Sequence, residues 1–223
     1  MIIMQTVDAL ARESYIESNG LAKIIFRHEL KDSVCVQYHP KGLKGIAYLQ
    51  CTKPQTDVDK TCRIGGVISE LDSHHITPSN PDPLCARFSP WHACGPTSTH
   101  PTYSAGMKRH ADLHFLGAAL RLKPGEEDIQ GAAKQWEDVL GVRAQGAEVV
   151  FTNARMGFVE GVEGEAEGIT EIRIGVEGKE MLKGIFQRAR EEALKVDERQ
   201  GAVDMLGVTF LFIDIGVGAK SRL

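Results

Sequence analysis

The sequence lacks the features of a protein that binds nucleic acid or crosses a membrane. Its 30 acidic residues outnumber its 26 basic ones, the formal net charge is −4, and no basic patch with interleaved aromatic residues occurs. No apolar run approaches the ~18 residues that a membrane-spanning helix requires. The sequence therefore predicts neither a nucleic-acid partner nor a membrane partner.

Three common catalytic signatures are also missing. The chain contains no G-x-G-x-x-G after a predicted strand, no G-x-x-x-x-G-K-[ST] and no G-x-S-x-G. The first two patterns bind nucleotide phosphates, and the third presents a nucleophilic serine. Their absence disfavours nucleotide hydrolysis and serine hydrolysis of the common kind.

The cysteines do not form a disulfide framework. They are five in number and irregularly spaced, at Cys35, Cys51, Cys62, Cys85 and Cys94. The N-terminal stretch MIIMQTVDALARESY lacks the basic start and the long apolar centre of a secretory signal. Both observations favour a reducing compartment, so we predict a cytoplasmic location.

The first of three predicted regions, residues 1–66, has irregular N-terminal strands. AKIIFRHE and SVCVQYH indicate two short strands with Asp32 in the turn between them. The stretch Ile46–Ile64 has neither helical nor strand periodicity. It is interpreted either as an insertion, such as a retained non-coding segment, or as a plain surface loop.

The second region, residues 67–109, is predicted to be an ordered loop rich in proline and histidine. Five of the nine prolines fall between Pro78 and Pro96, which disfavours regular helix and central strand there. Phe88 and Trp91 favour order, because disordered linkers rarely carry such residues. Its imidazoles and carboxylates suit zinc or iron-type ions, and the alternative is that they cap turns and face water.

The third region, residues 110–223, is strongly periodic. Apolar residues recur at helical spacing over Ile129–Leu140, and Gly141 is predicted to end this helix. EVVFTN and MGFVEG predict a hairpin, and ITEIRIGV alternates as a half-buried strand does. KEMLKGIFQRAREEALK predicts a second helix, and GVTFLFIDI a buried strand.

The succession of AAKQWEDVLGV, VFTNARMGFVEG, an alternating strand and a second helix resembles the vicinal oxygen chelate superfamily, in its glyoxalase-like branch, over about Leu113–Leu194. The resemblance implies an α+β fold in which βαβββ modules form a curved mixed sheet around a pocket, with the helices on the outer face. One module is complete in the sequence. The second is predicted to be partial, with too few residues after GVTFLFI, and the N-terminal strands or a second chain would complete the cup.

The resemblance also implies a function class. It favours a small-molecule enzyme, a lyase or isomerase that transfers a proton next to a carbonyl, or a dioxygenase, with a divalent metal such as Zn, Fe, Ni or Mn. The alternative is a non-catalytic small-molecule-binding member of the superfamily. The family's usual ligands, a histidine in the first strand and a glutamate in the last strand of a module, fall near Gly117 and near Gly157 or Phe158. A homodimer is a further option.

Site residues are predicted on this basis. Glu160 is the expected acid–base group with His114 or His92 as its partner, and the bland alternatives are a solvated carboxylate and a strand-edge histidine. Trp91 and Phe158 are predicted to contact the substrate. The predicted metal ligands are Glu70, His74 and His75.

Overall fold

The computed structural model describes residues 2–39, 68–78, 80–84 and 97–217, which form two compact units. Described residues up to Ala111 belong to unit 1, and those from Asp112 onward to unit 2. The segment Ile46–Ile64 lies outside the described residues, as do Trp91 and His92. None of the described helices has the length and apolar character that crossing a bilayer requires.

Unit 1 contains one βαβββ module followed by a short helix. Its elements are β1 (Ile2–Gln5), α1 (Ala9–Ser18), β2 (Lys23–Glu29), β3 (Ser33–His39), β4 (Ser69–His74) and α2 (His100–Lys108). The sheet has the order β1-β4-β3-β2, in which β1 runs parallel to β4 and the other neighbours are antiparallel. The two strands predicted in the N-terminal region are confirmed. Two regular elements, β4 and α2, lie within the proline- and histidine-rich range.

Helix α1 packs on the sheet of unit 1 through a narrow apolar stripe. Asp8 caps its N-terminus, since the carboxylate accepts a hydrogen bond from the backbone N–H of Ala11 at 2.9 Å. Ala9 and Ile16 are fully buried, and Glu13 between them is buried as well. On the strands, the side chains of Val34, Val36 and Tyr38 make the corresponding buried row.

Unit 2 contains two βαβββ modules. The first comprises β5 (Leu113–Arg121), α3 (Ile129–Leu140), β6 (Arg143–Gln145), β7 (Glu148–Val150) and β8 (Arg155–Val159). The second comprises β9 (Gly168–Val176), α4 (Lys179–Glu191), β10 (Lys195–Asp197), β11 (Ala202–Met205) and β12 (Val208–Asp214). The eight strands form one sheet in the order β10-β11-β12-β9-β5-β8-β7-β6.

The pairing of the two modules is symmetric in its strand order. Each module has its first strand beside its fourth, and the two first strands, β5 and β9, pair antiparallel in the middle of the sheet. The second module is complete, so the prediction that it has too few residues is wrong. Its β10 and β11 span only three and four residues and are therefore compact enough to fit.

Both helices of unit 2 cover the same face of the sheet. Trp136 of α3 is fully buried and packs on Phe158, with ring centroids 6.0 Å apart. Phe186 of α4 packs on Phe212 of β12 with a centroid distance of 6.3 Å. Gly141 ends α3 in the left-handed conformation, with φ of 73°, which glycine adopts without strain. The predicted helices, hairpin and α+β fold class are confirmed.

Candidate metal and ligand sites

The far face of each sheet, turned away from α1 in unit 1 and from α3 and α4 in unit 2, carries the candidate sites. In unit 1, Cys35 lies opposite Asp72 across the β3–β4 pair, and Gln37 lies opposite Glu70. Residues directly opposite each other share a face, and neighbours along a strand alternate. Because Val34 and Val36 face α1, Cys35, Glu70 and Asp72 must all project from the far face.

These three side chains form a compact group, here called the Cys35–Glu70–Asp72 cluster. The thiol and the two carboxylates offer one atom each, and these atoms lie within 4.8 Å of one another. Each of the three residues is 1 % exposed. The Gln37 amide donates to Oε2 of Glu70 at 2.6 Å, whereas Oε1 of Glu70 is buried and has no hydrogen-bond partner among the described residues.

The electrostatics of the cluster favour a cation. Burial raises the pKa of the Cys35 thiol, and the negative charges of Glu70 and Asp72 raise it further. Two carboxylates this close and this deeply buried are costly unless a proton or a positive ion offsets their charge. Thiolate and carboxylate oxygen are donors that zinc and iron-type ions accept. The donor set and the unsatisfied oxygen of Glu70 therefore fit a divalent metal.

The three predicted metal ligands lie at different distances from the cluster. Glu70 belongs to the cluster, and His74 lies on the same face of β4, two residues beyond Asp72. His75 follows the end of the strand, is exposed and places Nδ1 3.1 Å from the carbonyl oxygen of Lys31. Cys35 was missed as a candidate ligand, because the pairing of β3 with β4 is not visible in the sequence.

A shallow cavity of about 150 Å³ lies in unit 1 at the ends of β1 and β4. It is lined at one side by Gln5 and His74, and Gln5 is the register partner of Asp72 on β1. The rest of the lining includes Ile76, Pro81 and further residues of the segment after β4. Gln5 and His74 therefore link the lining of this cavity to the strand positions beside Asp72.

Among the described residues of unit 2, the far face carries a row of ion pairs and no group of metal-type ligands. Glu148 lies 3.3 Å from Arg155 on one side and 3.5 Å from Arg173 on the other. Arg173 also binds Glu171 at 2.6 Å. The four side chains are between 26 % and 37 % exposed, so water screens the pairs.

Two small residues lie between the glutamates of this row of ion pairs. Gly157 and Ala119 are register partners in the middle of the sheet, next to Glu148 on one side and Glu171 on the other. A Cβ added at Gly157 would meet nothing nearer than the Glu148 carboxylate at 3.7 Å. Gly157 and Ala119 thus form a strip without large side chains between Glu148 and Arg173, whose ion pair crosses it; this strip, here called the trough, lies where the resemblance predicts a ligand glutamate.

The structure does not bring the predicted catalytic residues together. His114 lies near the start of β5 and its Nε2 is 2.6 Å from Oε1 of Glu177. Glu160 is exposed and follows Val159, the register partner of Arg121 at the other end of β5. Arg121 lies seven residues beyond His114, roughly 23 Å along an extended strand. The two residues therefore cannot share one reacting group.

The predicted substrate-binding residues are also separated. Phe158 is 4 % exposed and packs on Trp136, on the helix-covered face of the sheet. It therefore contributes to the core of unit 2 in this structure. Trp91 and His92 lie outside the described residues, and their roles remain predictions.

Comparisons with solved structures found several matches of low similarity, among them the following two. The halotolerant catechol dioxygenase BphC has 11 % sequence identity and a TM-score of 0.44, covering 100 % of this chain and 73 % of that one. The 2,3-dioxygenase LapB from Pseudomonas sp. KL28 has 13 % identity and a TM-score of 0.37, covering 99 % and 73 %. No family model and no curated protein matches.

The module topology of the chain itself carries the fold assignment. Unit 2 pairs two βαβββ modules through their first strands, and unit 1 repeats the same strand order once. This is the architecture that the resemblance to the vicinal oxygen chelate superfamily implies, and the chain shows that fold.

Proposed function

We propose that the protein is a glyoxalase-like small-molecule enzyme of lyase or isomerase type that uses a divalent metal held by Cys35, Glu70 and Asp72. The observation that supports this most strongly is the buried cluster on the far face of a βαβββ sheet, with its donor atoms within 4.8 Å of one another. Glu70 was already a predicted ligand, and Cys35 and Asp72 replace His74 and His75 as the other two ligands. The reaction is proton transfer next to a carbonyl.

Each residue has a distinct part in this proposal. A bound divalent ion would act as a Lewis acid on a substrate oxygen. Gln37 holds one oxygen of Glu70 in place and so orients the other oxygen toward the ion. The substrate enters by the cavity beside Gln5, and His74, which lines that cavity, accepts the proton.

The three acid–base residues predicted from the sequence are not assigned a step in this reaction. His114 is 11 % exposed and is oriented by Glu177, an arrangement that suits a proton acceptor in unit 2. Glu160 and His92 stay predictions, with Trp91 as an apolar wall beside His92. A cytoplasmic location also remains a prediction.

The metal content of the purified protein tests the proposal. We expect the wild type, purified without chelator, to retain one equivalent of zinc, iron, nickel or manganese. Glu70→Gln and Asp72→Asn remove a charged ligand and should lose most of it. Glu148→Gln is the matched control, because its carboxylate is ion-paired in unit 2, and it should retain the metal.

Turnover distinguishes an enzyme from a metal-binding protein without activity. A panel of small α-hydroxy and α-oxo carbonyl compounds should include one that is converted only by the metal-loaded wild type, and His74→Ala should lower kcat. A metal-free wild-type protein, or equal metal content in the wild type and Glu70→Gln, would contradict the metal assignment.

A second candidate is a non-catalytic small-molecule-binding protein that uses the trough of unit 2. The observation in its favour is that Gly157 and Ala119 occupy the floor of the trough, where a ligand residue is expected from the resemblance. Within the described part of unit 2, no cluster of metal-type ligands accompanies the trough. Gly157→Leu should fill the trough and abolish binding of a small aromatic acid without changing the metal content.

A further inference from the structure

Two arginines of unit 2 bracket a carboxylate on the far face of the sheet. Arg155 of β8 and Arg173 of β9 are both register partners of Gly117, one on each side of β5. Oε2 of Glu148 lies 3.3 Å from Nη1 of Arg155, and Oε1 lies 3.5 Å from Nη1 of Arg173. One guanidinium therefore faces each carboxylate oxygen. The space between the two arginines has the size and the charge that a carboxylate requires.

Glu148 is held in this space only loosely. A charge-assisted hydrogen bond between nitrogen and oxygen is usually about 2.7–2.9 Å long, and both contacts of Glu148 are longer. Arg173, in contrast, binds Glu171 at 2.6 Å. The side chain of Glu148 is 34 % exposed, so water screens its ion pairs and each contributes little to stability. Its carboxylate can therefore leave the arginines at low cost.

The side chain of Glu148 covers the trough. It starts on β7, and its partner Arg173 lies on β9, so it reaches across β8 and β5. A Cβ added at Gly157 of β8 would lie 3.7 Å from Oε1 and 3.8 Å from Cγ of Glu148. Ala119 of β5, the register partner of Gly157, adds only a methyl group. Movement of Glu148 into water would thus uncover the trough and leave both arginines facing it.

The uncovered arginines would favour an anion over a neutral molecule. Arg173 keeps Glu171 as a charged partner. For Arg155, the contacts within the described residues are Glu148 and the neutral side chain of Gln145, whose Oε1 lies 3.4 Å from Nη1. Arg155 would therefore lose its charged partner when Glu148 leaves. A carboxylate from a ligand restores this partner, and an uncharged ligand does not.

We propose that Arg155 and Arg173 form a binding site for a small organic carboxylate, which Glu148 occupies in the free protein and vacates when the ligand binds. Each oxygen of the ligand then faces one guanidinium, and its body lies over Ala119 and Gly157. This inference rests on the second candidate function, names its ligand class, and is independent of the metal in unit 1. Because Glu148 competes with the ligand, it lowers the apparent affinity.

Titration calorimetry with benzoate as the probe tests the proposal. The wild type should bind benzoate weakly, and Glu148→Gln, which removes the competing charge but keeps the shape, should bind it about tenfold more tightly. Benzamide has the same ring without the charge and should bind to neither protein. Glu180→Gln is the matched control, because it removes one carboxylate from α4, on the other face of the sheet. It should bind benzoate as the wild type does.

Three calorimetric results would overturn the proposal. They are equal benzoate affinities of the wild type and Glu148→Gln, benzamide binding as tight as benzoate binding, and undiminished benzoate binding when Arg173→Met is added to Glu148→Gln. If a variant does not fold, the side-chain Nε–H signals of the unmodified protein decide. Those of Arg155 and Arg173 should shift on addition of benzoate, whereas that of Arg190 on α4 should not. Unshifted signals at both arginines of the pair would also overturn the proposal.

The same titration of Asp72→Asn separates this site from the proposed metal site. Asp72→Asn removes a proposed metal ligand in unit 1, far from the arginine pair along the chain, and its benzoate affinity should equal that of the wild type. This result is expected whether or not the wild type holds a metal. Loss of benzoate binding in Asp72→Asn would assign the benzoate to the metal and would overturn the carboxylate site of unit 2.

Discussion

The first module of unit 2 and the module of unit 1 share one topology but carry different side chains on the sheet face that their helices leave uncovered. In both, the first strand lies parallel to the fourth, the third and second follow antiparallel, and a helix covers one face. On the far face, unit 1 buries a thiol and two carboxylates to 1 % exposure. Unit 2 instead places half-exposed ion pairs around Gly157 and Ala119.

The difference follows from which alternate residues the strands carry. In β4 of unit 1 the far-face positions are Glu70, Asp72 and His74, whereas those of β8 are Arg155, Gly157 and Val159. The strand order sets which face is free of helix, and the side chains at alternate positions decide what that face can bind. Metal chemistry is therefore expected in unit 1, and ligand binding without metal in unit 2.

The largest expected effect is a loss of unfolding free energy in one unit that leaves the other unit unchanged. Trp136→Ala removes a fully buried side chain that packs on Phe158, and it should lower the free energy of unfolding of unit 2 by about 3–5 kcal/mol. Denaturant unfolding followed by hydrogen exchange of single amides measures this. Protection in β1 to β4 should not change.

The reciprocal variant is Ile16→Ala in α1, which is also fully buried. It should destabilise unit 1 by about 2–5 kcal/mol and leave the amides of β5 to β12 protected. Equal loss of protection in both units after either substitution would show that they unfold as one body, and the comparison between them would then fail.

The next effect concerns metal and stability. A divalent ion at a hundred times its Kd should raise the free energy of unfolding by about 2.7 kcal/mol, because it binds only the folded state. The gain should appear in the amides of β3 and β4 and vanish in Asp72→Asn. Stabilisation that persists in Asp72→Asn would place the ion elsewhere.

Two glycines of unit 2 should respond differently to alanine. A Cβ at Gly117 would lie 2.0 Å from the carbonyl oxygen of Arg155, a backbone atom that cannot move aside without breaking the β5–β8 pair. Gly117→Ala should cost about 1–3 kcal/mol of stability. Gly157→Ala, with only the Glu148 side chain at 3.7 Å, is the control and should be nearly neutral in thermal unfolding.

The smallest effect is expected at the ion pairs of the trough. Arg173→Met breaks the contacts with Glu148 and Glu171, yet all three side chains are partly in water. The loss should be about 0–1 kcal/mol and should shrink as salt is added. Lys183→Met, an exposed pair on α4, should change nothing measurable. A loss of several kcal/mol of unfolding free energy that does not depend on salt would contradict this, because it would mean that water does not screen the ion pairs.

Sequence reasoning succeeded where the signal is local. The apolar residues of α3 recur at helical spacing around Trp136, and the bounds of this helix were predicted correctly. The hairpin is contiguous and was also predicted, but its first strand ends earlier than predicted, at Val150, and its second spans Arg155–Val159. Helix α1 was missed because its buried stripe holds only Ala9 and Ile16, with the charged Glu13 between them. An apolar stripe this narrow does not stand out from the polar residues around it.

The candidate site was predicted only in part, for a similar reason. Glu70 was identified from composition, but Cys35 reaches it only through the β3–β4 ladder, a long-range pairing that periodicity does not reveal. Recognising β4 as a strand would have corrected His75, since alternation keeps Glu70, Asp72 and His74 on one face. His114 and Glu160 were joined by counting residues, and the parallel β5–β8 register separates them.

The absorption spectrum of the cobalt-substituted protein tests the central claim most directly. A thiolate bound to Co²⁺ gives an intense near-ultraviolet charge-transfer band, which carboxylate ligands do not produce. The wild type should show this band on titration with Co²⁺, and Cys35→Ser should lose it while Cys51→Ser, Cys62→Ser, Cys85→Ser and Cys94→Ser retain it. A band that survives in Cys35→Ser, or its absence from the wild type, would contradict the assignment of the buried cluster as a metal site.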